Sequence, residues 1–214
     1  MHLKKIFCLL TLSAACSGTP PATDPDVLEP PAVPVAKSAR GNLRFKGPER
    51  INSDFAAALE LPADALCLEL GQYACTTAVH NVALGGVDPY GPGLYEAPGV
   101  TASTTPLVVE RIAWAACGKR VELDLADAGK AVIFRGIALD ASGKKLASPD
   151  SAEVRSAIIE VTQRILLRKP YRTEVDRYVK LARDIEATGT PEPARAFMQS
   201  LCFSVLSSTE SVFY

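Results

Sequence analysis

Cysteine, histidine and carboxylate side chains are where a chain of this composition would do chemistry, and it holds six cysteines and two histidines. His80 follows Cys75 by five residues. A zinc site asks for three or four such ligands, and this pair supplies at most two. The same pair could form a nucleophile and its base, but a catalytic cysteine has to be a free thiolate in a positive setting. Asp88 and Glu96 could serve calcium, yet two acids eight positions apart match no calcium-loop spacing. Gly85-Gly86 lacks the strand, turn and helix context of a phosphate loop. The same stretch carries Tyr90, Leu94 and Tyr95, apolar and aromatic side chains of the kind that contact partners. Folding the loop onto its own domain would bury those rings equally well, so both readings stand. Glu110-Arg111 and Arg168-Lys169 read as ordinary solvated charges. These residues predict no metal, no cofactor and no catalytic group.

The elements that must position them begin after residue 40. Met1 to Lys5 is a short basic start, Ile6 to Leu12 is apolar, and Ser13-Ala14-Ala15 is a run of small residues before Cys16. This is the layout of a secretory signal, with an apolar part too short to span a bilayer as a mature helix. Small residues directly before a cysteine resemble the lipobox of bacterial lipoproteins. That resemblance implies acylation of Cys16, the palmitate-bearing new N-terminus, and anchorage in a membrane. Cleavage after Ala15 without lipidation is the alternative. Ser17 after the cysteine resembles lipoproteins sorted to the outer membrane, which implies a domain facing the periplasm.

Loss of Cys8 with the signal leaves five cysteines, and an acylated Cys16 leaves four, enough for two disulfides in an oxidising compartment. Cys67 and Cys75 flank a reversal at Gly71-Gln72. Cys117 ends one helical stripe, and Cys202 lies beside another. Of the three pairings that four cysteines allow, local geometry favours Cys67 with Cys75 and Cys117 with Cys202 over the other two, and four buried reduced thiols are the further alternative. Oxidation would also deny His80 a thiolate partner. Lys4 and Lys5 leave with the signal, so 24 acids outnumber 21 basic residues. No basic stripe is visible, and a nucleic-acid partner has no electrostatic support.

Residues 17 to 38 hold six prolines and few large apolar side chains. Such a segment reads as a disordered, semi-extended tether, reaching on the order of 60 Å. The organisation expected is therefore a signal peptide at 1–15, a lipidated cysteine and Pro-rich linker at 16–40, and a helical globular domain at 41–214. Asn52-Ser53-Asp54 precedes a short helix over Phe55–Leu59, and Pro62 to Leu70 predicts another, closed by Gly71. Thr105-Pro106 opens a helix with Val109, Ile112, Ala113 and Ala116 at helical spacing and Gly118 as its stop. Beyond it, alternation at Val121, Leu123 and Leu125 and the apolar run Ala131 to Phe134 slightly favour a β-hairpin over a continuing helix.

The last third reads as three amphipathic helices. Ser148-Pro149-Asp150 caps Val154, Ile158, Val161 and Ile165. Thr173 caps Val175, Val179, Ala182 and Ile185. Thr190-Pro191 opens Phe197, Leu201 and Val205. Short connections pack such helices as antiparallel neighbours. The fold class expected is mainly α, a single helical domain with a possible small β-hairpin.

Leu166-Leu167-Arg168-Lys169-Pro170, Thr173-Glu174-Val175, and Ala196-Phe197-Met198 through the closing Ser208 to Tyr214 resemble a cytochrome-associated helical domain family of unknown function. Asp54 to Leu59 resembles the short helix that opens its members. The likeness covers about fifty residues well and implies a helical fold without assigning an active residue. The family's haem-bearing Cys-x-x-Cys-His is absent here. Together these observations lead to a lipid-anchored envelope protein that binds another protein as an accessory of a larger assembly. The alternative is a periplasmic redox or hydrolytic enzyme with its site near His80 and the 85–100 loop.

Overall fold

The computed structural model describes residues 25–29, 43–91, 93–97 and 102–214. The signal and Cys16 lie outside the described residues. The architecture is mainly α with one small antiparallel hairpin. Its helices are α1 (Gly47–Leu59), α2 (Thr105–Ala126), α3 (Ala152–Leu166), α4 (Arg172–Ala187), α5 (Pro193–Leu206) and α6 (Thr209–Val212).

Helix α5 is the centre. Ala194, Phe197, Met198, Leu201, Cys202, Val205 and Leu206 are all buried, so apolar side chains face several directions around its axis. A helix of that kind must be enclosed by others. Helices α2, α3 and α4 surround it. Val154, Ile158 and Val161 of α3 and Val175, Val179 and Ala182 of α4 are buried as their spacing predicts, while Ile165 and Ile185 lie at the margin. Each fully buried Leu or Phe contributes about 1.5–3 kcal/mol relative to exposure. Helix α1 packs Ile51, Phe55 and Leu59 against α2 and α3.

Several boundaries differ from the sequence expectation. Helix α1 starts at Gly47 with Pro48 in its first turn, so Asn52-Ser53-Asp54 lie inside it. Ser151, whose Oγ accepts the Val154 N–H at 3.3 Å, caps α3 instead of Ser148. Helix α4 begins at Arg172, after Tyr171, and α5 at Pro193. Pro62 to Leu70 forms only a 3₁₀ turn at Ala63–Ala65 before strand β1 (Leu68–Glu69), which pairs with β2 (Tyr73–Ala74). The hairpin is therefore here and not at 121–139.

Helix α2 passes through Gly118 to Ala126. Gly118 faces α5: a Cβ there would meet the Gln199 amide nitrogen at 2.9 Å, the end of a side chain that can turn aside. Next to it, Cys117 is joined to Cys202 with their Cα atoms 5.7 Å apart. The inner face then continues through Arg120, Val121 and Asp124, all buried. Asp124 explains why the following apolar run forms no strand. Its Oδ1 accepts the N–H of Val132 at 2.9 Å, and its Oδ2 those of Ile133 and Phe134 at 3.0 and 3.1 Å. Backbone groups that a sheet would have paired are satisfied by one carboxylate, with Ile133 and Phe134 in the core. Arg120 Nε lies 2.8 Å from Asp124 Oδ1, but its N–H is not aimed for a hydrogen bond, so the contact is an ion pair.

Arg168 is also not a solvated charge. It donates to Glu174 through both terminal nitrogens at 2.9 and 2.8 Å, and to Glu210 through Nε and Nη2 at 2.6 and 2.8 Å. Its guanidinium stands 5.1 Å from the centre of the Tyr171 ring. Two carboxylates, Glu174 foremost, push the Arg168 pKa further up. Arg168 in turn holds Glu174 below the usual carboxylate range, against the partial burial that would raise it. The α3–α4 turn, the first turn of α4 and α6 are thereby clamped together. The chain's last residues are fixed as well: Arg44 and Tyr214 exchange two backbone hydrogen bonds, and the Phe45 and Phe213 rings meet edge-on at 5.6 Å.

Candidate functional site

The hairpin and the turns after it bring together His80, Glu69 and Arg111. Leu70 and Gly71 both have positive φ, which reverses the chain sharply between β1 and β2. The Cys67–Cys75 disulfide, with Cα atoms 5.4 Å apart, closes the hairpin's base. A single π-helical turn, Cys75–Val79, then carries the chain to His80. His80 Nε2 lies 3.2 Å from Glu69 Oε1. Arg111, on the solvent side of α2, grips the same carboxylate through Nε and, at 2.6 Å, through Nη2. Arg111 is thus another charge that is paired and not merely solvated.

This geometry fixes what the cluster can do. The Arg111 hydrogen bond foremost, and then His80, hold the Glu69 pKa down at about 2, against a desolvation that would raise it. Glu69 is therefore an anion throughout the physiological range, with its lone pairs committed to Arg111 and His80. Cys75 is fully buried and oxidised, so it presents no thiolate to His80. The group works as a polar clasp between the hairpin and α2. Because the folded pKa lies below the ordinary 4.5, its stabilising effect is complete above that value and is lost as pH falls toward 2. A carboxyl-carbon NMR titration should place Glu69 near pH 2 and Arg111→Met should move it back toward 4.5. A wild-type midpoint at the ordinary value would remove the clasp.

The following loop is built to project. Gly86 sits against Asn81, where a Cβ would come within 2.9 Å of the Asn81 carbonyl oxygen. Asn81 in turn donates to the Val87 carbonyl at 2.7 Å. Gly85-Gly86 therefore serves a close turn, not an anion. Asp88 and Leu94 exchange backbone hydrogen bonds of 3.0 and 2.9 Å, and Asp88 Oδ1 accepts from the N–H groups of Tyr90 and Gly91. That carboxylate is a turn former. Glu96 is exposed. Among the described residues, no three His, Cys, Asp or Glu side chains gather as metal ligands would. At the tip, Tyr90 is 99% exposed and Tyr95 77%, while Leu94 is half-buried. The loop leaves its rings in solvent, and Leu70 and Tyr73 of the hairpin are also exposed.

The sequence assembled His80 and Cys75 but missed Glu69 and Arg111, which stand 42 positions apart. No local signal links such a pair. No helix among the described residues is long and apolar enough to cross a membrane. Neither a family model, nor a curated protein, nor a solved structure matches this chain.

Proposed function

We propose that this protein is a lipid-anchored component of the bacterial cell envelope, acylated at Cys16, whose helical domain binds another envelope protein through the 85–97 loop. The observation that carries the binding role is the exposure of Tyr90 and Tyr95 at the tip of a loop braced by Asp88 and Asn81. Exposed tyrosines on a pre-shaped loop offer contact area at little ordering cost. The anchor rests on the Ser13-Ala14-Ala15-Cys16 sequence and its resemblance to a lipobox, and Ser17 supports the outer membrane. The resemblance to the cytochrome-associated helical family is carried by residues that meet around Arg168, Glu174 and Glu210, whose work is structural. An accessory of a larger envelope or redox assembly fits that combination.

Two measurements separate the anchor from the contact. Wild type should fractionate with membranes and enter detergent, while Cys16→Ser should remain unprocessed as a lipoprotein. A photo-crosslinking residue at position 90 should give one discrete adduct in intact cells, lost with Tyr95→Ala. The same residue at exposed Lys130 should give none. Equal release of wild type and Cys16→Ser into the soluble fraction would remove the anchor. Identical adducts from positions 90 and 130 would remove the binding loop.

A further inference from the structure

Residues 25–29 lie within the Pro-rich stretch expected to be a free tether, yet they are docked on the domain. Leu28 pairs with Tyr171 as a parallel bridge: its N–H donates to Pro170 O at 2.7 Å, and its carbonyl accepts the Arg172 N–H at 2.8 Å. Lys169 Nζ donates to the Pro25 carbonyl at 2.6 Å and lies 3.4 Å from Asp26, while Arg172 pairs with Glu29. Val27 packs at the edge of the core, and Leu28 is exposed, at 39%.

The receiving backbone is prepared for a strand by the Arg168 cluster. The Lys169 carbonyl is taken by Arg168 at 3.0 Å, and the Tyr171 N–H by Glu174 at 2.7 Å. The Pro170 carbonyl and Arg172 N–H are left on the other side, with the alternation that an edge strand shows. A cation flanks each end. Such an edge accepts an extended segment through its main chain and chooses it through charges and the residue between them. Asp26-Val27-Leu28-Glu29 brings an acid to each cation: the chain turns at Pro25-Asp26, bends at Val27 and pairs with the edge at Leu28.

We propose that Lys169–Arg172 is a main-chain acceptor site for acidic segments of the pattern acid, two apolar residues, acid, which residues 26–29 occupy in cis and which a partner chain carrying the same pattern can enter. This surface is distinct from the 85–97 loop and does not depend on the lipid anchor. Two backbone hydrogen bonds and ion pairs with exposed carboxylates are a light hold, sustained by a local concentration on the order of millimolar. Exchange with a free segment is therefore within reach.

The test uses purified full-length protein and a labelled peptide of residues 24–31, followed by fluorescence anisotropy. Leu28→Pro combined with Glu29→Lys removes the donor to Pro170 and reverses the outer charge of the cis segment. This variant should bind the peptide at least tenfold more tightly than wild type. Adding Arg172→Glu should abolish the gain, and a peptide bearing Glu29→Lys should restore it. Equal affinity of wild type and the strap variant would overturn the proposal, as would equal binding of a scrambled peptide. Near-wild-type thermal unfolding of the strap variant, whose changes lie outside the core, shows that the comparison concerns folded protein.

Discussion

Asp124→Ala should be the most damaging single polar substitution in the domain, costing about 3–5 kcal/mol of unfolding free energy. The side chain is 1% exposed and carries four interactions at once: it pairs with Arg120 and accepts the N–H groups of Val132, Ile133 and Phe134. Its removal leaves a guanidinium, itself 7% exposed, with only the Leu59 carbonyl at 3.5 Å, and strands three buried donors. Asp124→Asn keeps one good acceptor and should cost about 2–3 kcal/mol. Arg120→Met in the Ala background should recover part of the loss by withdrawing the unpaired charge, but not the part owed to the backbone donors. Urea unfolding at pH 7 measures all three. A loss under about 1 kcal/mol for Asp124→Ala would mean that residues 131–134 are held by their apolar side chains alone.

The second large effect belongs to the Cys117–Cys202 bridge. It closes an 85-residue separation, for which the chain-entropy model gives about 4–5 kcal/mol. Both cysteines are fully buried where α2 meets α5, so Cys117→Ala with Cys202→Ala leaves small apolar residues in place of small apolar residues. The loss should come chiefly from a freer unfolded chain. Cys67→Ala with Cys75→Ala, at a separation of 8, should cost about 2–3 kcal/mol on the same reasoning. Denaturation of both double variants under non-reducing conditions tests the order. A larger loss from the short loop would show that its enthalpy, or its clasp on Glu69 and His80, outweighs loop closure.

The helical stripes around α5 were legible because each repeats apolar residues every three or four positions with polar ones outside. The continuation of α2 was not. Arg120 and Asp124 occupy its inner face, so the inner stripe is interrupted by charge just where Val121, Leu123 and Leu125 mimic a strand's alternation. The reversal at Gly71-Gln72 and the cysteines flanking it were readable, but two-residue strands carry no period of their own. Arg111 looked like a surface charge because its carboxylate, Glu69, stands 42 positions away in the chain. Of the two carboxylates on Arg168, Glu210 is equally distant, while the nearer, Glu174, is brought to it only by the turn between α3 and α4. Proline content hid the docked stretch at 25–29, where Val27 and Leu28 are the only large apolar pair among the acids. In the candidate site, the tyrosines were visible as residue types, but their exposure depends on Asp88 and Asn81 shaping the turn.

The two disulfides have a property that concerns assembly more than stability. Cysteines 67, 75, 117 and 202 are joined first to second and third to fourth along the chain. A polypeptide whose thiols are oxidised in the order in which they emerge would make both bonds directly, with no shuffling step. The two events are far apart in time, however. At roughly 5–20 residues per second, Cys75 follows Cys67 in about 0.4–1.6 s, whereas Cys117 waits about 4–17 s for Cys202. Throughout that interval the central helix does not yet exist, and the thiol of Cys117 lies on an unfinished apolar face. The vulnerable species of this protein is thus the nascent chain ending before residue 193, and the fourteen residues of α5, Pro193–Leu206, act as the keystone that closes both the core and the covalent ring.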